Sequence, residues 1–178
     1  MTSYKEAVET LLKEYVMPYC NTFDHQKWRE TRYWNEEVDR MYKFNWNFIN
    51  KLFDWASAES RKRPGSKKFV SIEEFSKLCS DGGLVETFIS ERDPTLLYSI
   101  SMMTVVNELE NERGSQMSMV EFLEALGRVA DRLDDKEVPN CKGLESKLSL
   151  LLKTLSKNLY SGNIEVVEPP PIVEEWEV

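Results

Sequence analysis

The sequence predicts an all-α protein, and two patterns lead to that prediction. Apolar residues recur every three to four positions through several segments, the spacing that places them on one face of a helix. A short signature also occurs twice, at residues 70–75 (VSIEEF) and 117–122 (MSMVEF). In each copy an apolar residue precedes a serine that suits a helix N-cap, and a helix opens with a glutamate before a phenylalanine.

The repeated signature has the layout of an EF-hand, in which two helices flank a twelve-residue loop. EF-hands fold in pairs joined by a short β-bridge, and the pattern gives that position to Val70 and Met117. We therefore expect an EF-hand-like helix-loop-helix pair with an N-terminal helical extension, a C-terminal helix and an extended acidic tail. The N-terminal helix and a connection take residues 1–34, the helix-loop-helix pair 35–134, the C-terminal helix 135–162 and the Pro/Glu-rich tail 163–178.

Charge and cysteine content narrow the class of protein. The 178 residues carry a formal net charge of −8, which argues against a nucleic-acid partner because such a partner needs a basic surface. Cys20, Cys79 and Cys141 are odd in number and far apart, which favours a reducing, intracellular compartment. The charged N-terminal segment is unlike a signal peptide, and no apolar run approaches membrane-spanning length. We expect a cytoplasmic protein with no membrane partner.

The first predicted helix covers residues 3–16. Ser3 and Glu6 form a capping box at its start, an apolar stripe runs along one side, and Pro18 ends it. We interpret this stripe as packing into the core, and docking onto a partner is the alternative that the pattern leaves open.

A polar connection at 19–34 leads to a long predicted helix at 35–59, with Asn35 as its N-cap. Large aromatic residues fall outside the core stripe of this helix or directly precede it. Such residues are either deeply buried or form a second apolar face for a partner, since aromatic side chains anchor both cores and interfaces. These candidates for partner binding are Trp34, Phe44, Trp46 and Trp55.

The first predicted loop, residues 63–74, lacks calcium ligands. Calcium needs oxygen ligands at loop positions 1, 3 and 5, where this loop has Arg63, Gly65 and Lys67. The positive charge of the loop would repel a cation but attract an acidic protein surface, unless the loop is solvated or neutralised by the protein's own glutamates. We refer to Arg61, Lys62, Arg63, Lys67 and Lys68 as the basic patch.

The second predicted loop, residues 110–121, is closer to a calcium site but is also degenerate. Gly114 takes position 5, where a ligand belongs, and Ser115 takes position 6, where the sharp turn needs glycine. We therefore expect no bound metal and no other cofactor. The weak metal candidates are Glu110, Glu112 and Glu121, which stand at ligand positions.

Four further helices are predicted, at 71–80, 93–109, 119–133 and 141–160. The last two have the longest apolar stripes, and we interpret both as core helices; insertion of the final leucines into a partner's groove is the alternative. The stripes comprise Met119, Phe122, Leu123, Leu126, Val129, Ala130 and Leu133, then Leu144, Leu148, Leu151, Leu152, Leu155 and Leu159.

The tail, residues 163–178, has five glutamates, no basic residue and three consecutive prolines. Composition alone therefore indicates an extended or disordered segment. Its apolar residues exceed what a purely solubilising tail needs, which favours a peptide that lies on another protein. Its candidates for partner binding are Pro169, Pro170, Pro171 and Trp176.

Catalytic patterns are absent from the sequence. It has no glycine-rich phosphate loop, no Gly-x-Ser-x-Gly turn and no His-Glu-x-x-His. The carboxylates of Glu73 and Glu74 are adjacent, and adjacent helical positions diverge by about 100°, so the two side chains cannot act on one reacting centre. We do not expect an enzyme.

Several stretches together resemble a degenerate EF-hand module of ciliary and flagellar proteins of protists, an axonemal EF-hand-like family. They are residues 27–29 (KWR), 33–38 (YWNEEV), 69–75 (FVSIEEF), 101–104 (SMMT) and 117–131 (MSMVEFLEALGRVAD). The resemblance extends over residues 23–133, more than half of the chain. It implies a microtubule-associated scaffold or adaptor of the ciliary axoneme, with tubulin or other axonemal proteins as partners.

These observations favour a non-enzymatic structural or adaptor subunit of a large intracellular assembly, with the ciliary axoneme indicated by the resemblance. Two alternatives stay open. One is a calcium sensor whose second loop still binds weakly, and the other is a light-chain-type regulatory subunit that binds an amphipathic helix of a motor or scaffold.

Overall fold

A computed structural model describes residues 4–17, 25–58, 68–85, 87–102, 115–133 and 143–172. These residues are mostly helical, and the β pairing among them consists of isolated bridges. The all-α prediction is confirmed at this level. The chain divides into two compact units, Met1–Trp34 and Asn35–Val178.

In the first unit, helix α1 covers Tyr4–Thr10 and continues as a π-helical segment, Leu11–Val16. The helix predicted at 3–16 is therefore present. Neither segment contains a buried residue, and Tyr4 is 88% exposed. The interpretation of its stripe as core packing is wrong, because amphipathic spacing shows which face is apolar but not whether that face is covered.

Helix α2 covers His25–Trp28 and ends in a π-helical segment, Arg29–Tyr33, where the sequence predicts only a connection. Polar side chains four residues apart stabilise it, since Gln26 Nε2 donates to Glu30 Oε1 at 2.7 Å. This helix has no apolar stripe, so hydrophobic periodicity does not predict it.

The second unit opens with helices α3 (Glu36–Phe44) and α4 (Trp46–Ala56). The predicted N-cap is present, with Val38 N donating to Asn35 Oδ1 at 2.9 Å. The single helix predicted over 35–59 is wrong, since the helix is interrupted between α3 and α4.

Asn45 interrupts the helix. Its backbone leaves the helical conformation (φ −104°, ψ 14°), and its side-chain Nδ2 donates to Met41 O at 2.9 Å. Asparagine side chains compete with helical backbone hydrogen bonds in this way. The Asn45 side chain also bonds the C-terminal part of the chain, as described below.

Helices α5 (Ile72–Asp81), α6 (Asp93–Ser101), α7 (Met119–Asp131) and α8 (Leu144–Tyr160) complete the described part of this unit. Helix α7 packs against α6 and α8, and α3 packs against α8. The helix predicted over 93–109 is described only as far as Ser101.

The core is built around α7. The buried Phe122 ring meets Phe53 of α4 and Phe75 of α5 edge-on, with ring centroids 5.4 and 6.5 Å apart. Most of both predicted stripes is buried, which confirms α7 and α8 as core helices; Met119, Leu123 and Leu159 are half-buried. Outside the predicted stripe, α7 also buries an ion pair in which Arg128 Nη2 and Glu124 Oε1 are 2.7 Å apart.

An antiparallel bridge joins the segments that precede α5 and α7. Val70 N donates to Met117 O at 2.9 Å, and Met117 N donates to Val70 O at 3.0 Å. The Tyr98 hydroxyl of α6 also donates to Val70 O, at 2.9 Å. All three side chains are buried, so the bridge lies inside the core.

The turn after α5 lies against α8 at Gly82. A Cβ atom at this position would be 2.5 Å from Leu155 Cδ2 and 2.7 Å from Leu78 O, so only glycine fits without a shift. Asn158 Nδ2 of α8 donates to Gly82 O at 2.9 Å. This close approach fixes the distance between the two elements.

Helix α8 ends in a reversal, in which Ser161 and Gly162 have φ angles of 54° and 72°. Gly162 N donates to Ser156 O at 3.0 Å, a helix ending that left-handed residues permit. Residues 163–172, which we call the strap, then run back along α8. These residues lie on their own chain, and the binding of the tail to another protein stays a prediction. Trp176 lies outside the described residues.

Candidate docking site

The strap is held by hydrogen bonds from Asn45, between α3 and α4, and from helix α8. Asn45 Nδ2 donates to Val167 O at 2.8 Å, and Val167 N donates to Asn45 Oδ1 at 2.8 Å. The Ser156 hydroxyl of α8 donates to Ile164 O. Asn45 is only 3% exposed, so a buried side-chain amide both donates a hydrogen bond to the strap backbone and accepts one from it.

A charged contact follows directly after this amide pair. Lys153 of α8 forms an ion pair with Glu168, and the Ser149 hydroxyl donates to Glu168 Oε1 at 3.2 Å. The hydrogen bond and the positive charge of Lys153 hold the pKa of Glu168 below its ordinary value. Glu168 is therefore ionised throughout the physiological range of pH.

A groove of about 490 Å³ lies between α3, α8 and the end of the strap. Two of the apolar side chains along it are Met41 and Leu150, and charged groups from both helices stand beside them. The three prolines selected from the sequence form part of its wall. The residues that line the groove include Arg40, Met41, Leu150, Lys153, Glu168 and Pro169–Pro171.

Two of the four predicted aromatic candidates lie beside this site and are exposed. Phe44 and Trp46 directly flank Asn45 and are 48% and 43% exposed, while the strap residue Val167 is 43% exposed. We call Phe44, Trp46 and Val167 the apolar rim. Trp55 is half-buried.

Trp34 is 58% exposed and belongs to the first unit. Phe44 and Trp46 belong to the second unit, where they adjoin Asn45.

The basic patch is described only at Lys68. Its Nζ atom is 2.8 Å from Asp54 Oδ1 of α4, and both side chains are partly exposed. This charge is thus balanced within the protein, by an aspartate rather than the glutamates expected. Arg61, Lys62, Arg63 and Lys67 lie outside the described residues.

The glutamates that end the two predicted loops cap helices. Ser71 N donates to Glu74 Oε2 at 2.8 Å at the start of α5. At the start of α7, Ser118 N and Oγ donate to Glu121 Oε2 at 2.7 and 2.8 Å. Glu121 is fully buried, so its carboxylate is committed to the helix cap.

Two of the three metal candidates, Glu110 and Glu112, lie outside the described residues. Within the described ranges, no three His, Cys, Asp or Glu side chains are grouped closely enough to hold a metal ion. Burial raises the pKa of the Cys79 thiol to about 12, so this cysteine is not an activated nucleophile.

The sequence selects the prolines and the exposed aromatics as candidates but not the residues that hold the strap. Asn45, Ser149, Lys153 and Ser156 are common polar residues on amphipathic helices, and their role depends on a strap that is distant in sequence. The one available signal was an asparagine between two bulky aromatic residues inside a helical pattern.

Comparison of the chain with protein-family models, curated proteins and solved structures gave no match. Among the helices that the structure describes, none is both long enough and apolar enough to cross a lipid bilayer.

Proposed function

We propose that this protein is a non-enzymatic docking subunit of a large intracellular assembly. The observation that carries this proposal is the exposure of two large aromatic residues, Phe44 and Trp46, on either side of Asn45, which holds the strap. Large aromatic side chains dominate the energetics of protein interfaces, and an apolar patch beside a groove marks an interaction surface.

The proposed scaffold is an EF-hand-like pair that does not use calcium. Three observations support it: the Val70–Met117 bridge between the two repeats, the helix that follows each bridge residue, and the capping of those helices by Glu74 and Glu121. A calcium-binding loop needs its last glutamate as a bidentate ligand. Here the carboxylates of Glu74 and Glu121 accept hydrogen bonds at the helix N-caps instead.

The proposed assembly is the ciliary axoneme, and the support for it is the resemblance in sequence. Tubulin is strongly acidic, so the basic patch is the part of the chain suited to a microtubule surface. The apolar rim is suited instead to a protein partner, because its side chains carry no charge. We therefore assign partner docking to the rim and long-range attraction to the patch.

Co-sedimentation with purified axonemes tests this proposal. The double variant Phe44→Ala/Trp46→Ala removes the exposed aromatics and should weaken binding by at least about 30-fold, as for a truncated interface anchor. Val120→Ala is the matched control, since Val120 is 62% exposed on another helix.

Equal binding by the double variant and the control would contradict a docking role for the apolar rim. Failure of the wild-type chain to sediment with axonemes would contradict the proposed assembly.

A further inference from the structure

We propose that the surface between α3 and α8 is a docking site for an extended partner peptide in which a glutamate precedes consecutive prolines. The strap is then a built-in occupant that such a peptide displaces. This inference goes beyond the proposed function, because it concerns the groups beneath the strap rather than the exposed aromatics, and it requires no particular assembly.

The site recognises peptide backbone. The Asn45 amide gives one donor and one acceptor to the same residue, Val167, each at 2.8 Å. A neighbouring β-strand recognises a peptide through the same two backbone groups. The bond from Asn45 Nδ2 to Met41 O orients the amide before any peptide is bound. The Val167 side chain is partly exposed, so this contact does not depend on which side chain is present.

The site also recognises a carboxylate one residue further on. Lys153 and Ser149 both contact the Glu168 carboxylate, and Ser156 contacts the carbonyl of Ile164. All of these contacting groups belong to α8. A ligand must therefore place an acidic side chain directly after the residue bonded by Asn45.

Prolines suit the next positions of the strap, which form one side of the groove. Pro169–Pro171 line it together with Met41 and Leu150. Proline has no backbone N–H to leave unpaired and a fixed φ angle, so a proline run loses little conformational freedom when it binds.

The strap is exchangeable because the core does not depend on it. None of residues 163–172 is fully buried, and Glu165, Val167, Glu168, Pro170 and Pro171 are exposed, whereas the α8 leucines of the core are buried. Asn45, Ser149, Lys153 and Ser156, which hold the strap, belong to α8 or lie between α3 and α4. The binding groups therefore remain in place when the strap leaves.

The test uses the full chain with Val167→Pro, which removes the N–H that donates to Asn45 and so frees the strap. The probe is a fluorescein-labelled peptide of residues 163–172, followed by fluorescence anisotropy. We expect it to bind this variant at least about 10-fold more tightly than the wild-type chain, whose strap competes at high effective concentration. Glu168→Lys in the full chain is a second way to free the strap, since it repels Lys153.

Charge reversal at Lys153 and Glu168 is the decisive part of the binding experiment. Lys153→Glu added to Val167→Pro should weaken peptide binding at least about 10-fold, and a peptide carrying Glu168→Lys should restore it. The matched controls are Lys157→Glu, an exposed lysine on the same helix, and a peptide with Glu165→Lys. Neither control should change binding in this way.

Three results would overturn the proposal: equal peptide binding by the wild-type chain and both strap-releasing variants, equal effects of Lys153→Glu and Lys157→Glu, or a wild-type dimer at micromolar concentration. The dimer would assign the site to the strap of a second copy. The assay contains no axonemes and leaves Phe44 and Trp46 intact, so its outcome is independent of the sedimentation experiment.

Discussion

Phe122 lies where three helices meet, and its ring contacts Phe53 and Phe75 inside the core. Phe122→Ala removes these contacts and leaves a cavity that rigid helices cannot fill. We expect the free energy of unfolding to fall by about 3–5 kcal/mol, the usual cost of truncating a buried phenylalanine. Urea denaturation followed by circular dichroism measures this change.

The control for this prediction is Val120→Ala, two residues earlier on α7 but 62% exposed. Its effect should stay within about 0.5 kcal/mol, as for most surface substitutions. A cost below about 1 kcal/mol for Phe122→Ala would show that the ring does not occupy the core.

The buried ion pair on α7 supports a second prediction. Arg128 and Glu124 are 6% and 8% exposed at their side chains, with Arg128 Nη2 2.7 Å from Glu124 Oε1. Arg128→Met leaves the carboxylate buried without its guanidinium, so we expect a loss of about 3–5 kcal/mol in the free energy of unfolding. Denaturation of the single and double variants measures it.

Replacing both Arg128 and Glu124 should lower the free energy of unfolding by less than replacing Arg128 alone. Arg128→Met/Glu124→Leu removes the buried charge together with its partner, and pairs replaced by apolar residues are often neutral in stability. If the double variant is less stable than Arg128→Met alone, the pair is not the unit that stabilises α7.

Among the helices, those with a long apolar stripe were predictable and those held by local polar contacts were not. α7 and α8 bury leucines and phenylalanine at helical spacing, so periodicity finds them. α2 depends on pairs such as Gln26 and Glu30, and the break at Asn45 depends on one side-chain hydrogen bond. Periodicity carries no information about either feature.

The two capped helices lead to a prediction about calcium. The Glu74 and Glu121 carboxylates accept hydrogen bonds from Ser71 and Ser118, the N-cap residues of α5 and α7. A ligand stabilises a protein only if it binds the folded state, so calcium should leave the melting temperature unchanged. Thermal melts at about 1 mM calcium and about 1 mM magnesium, read against a melt with chelator, measure this. A rise of several degrees specific to calcium would contradict the proposal that this fold does not use calcium.

For the whole molecule, the path of the strap could not be predicted from the sequence. Composition correctly gives residues 163–172 no helix or strand, but it cannot say what they contact. Their partner, Asn45, is 122 residues from Val167 and belongs to another element. Only the folded arrangement of α3 and α8 brings these groups together. The groove could not be predicted either. The sequence shows its prolines, but it does not show which helices form the other walls.

The strap should respond to pH through Glu168. The hydrogen bond and charge of Lys153 lower the pKa of Glu168, so this contact stabilises the strap above the ordinary glutamate value of 4.5. The contribution is lost as pH falls through the lowered pKa, because protonated Glu168 carries no charge. The chemical shift of the Val167 amide, which reports the bond to Asn45, should therefore change in the acidic range and stay constant near neutrality.

Glu168→Gln should remove this acidic transition, and Glu165→Gln should retain it, since Glu165 is an exposed neighbour on the same strap. An unchanged transition in Glu168→Gln would assign the titration to another group.

The order of α7 and α8 along the chain has a consequence for protein synthesis. The ribosome completes α7 before α8 exists, and at about 5–20 residues per second its apolar face stays uncovered for a few seconds. During that interval, neither the buried leucines of α8 nor the Lys147 Nζ that donates to Leu133 O at 2.8 Å is present. The nascent chain is thus a substrate for chaperones until α8 leaves the exit tunnel. A premature stop codon between 134 and 143 would produce an aggregation-prone fragment that is removed by proteolysis, with the same outcome for the cell as loss of the whole protein.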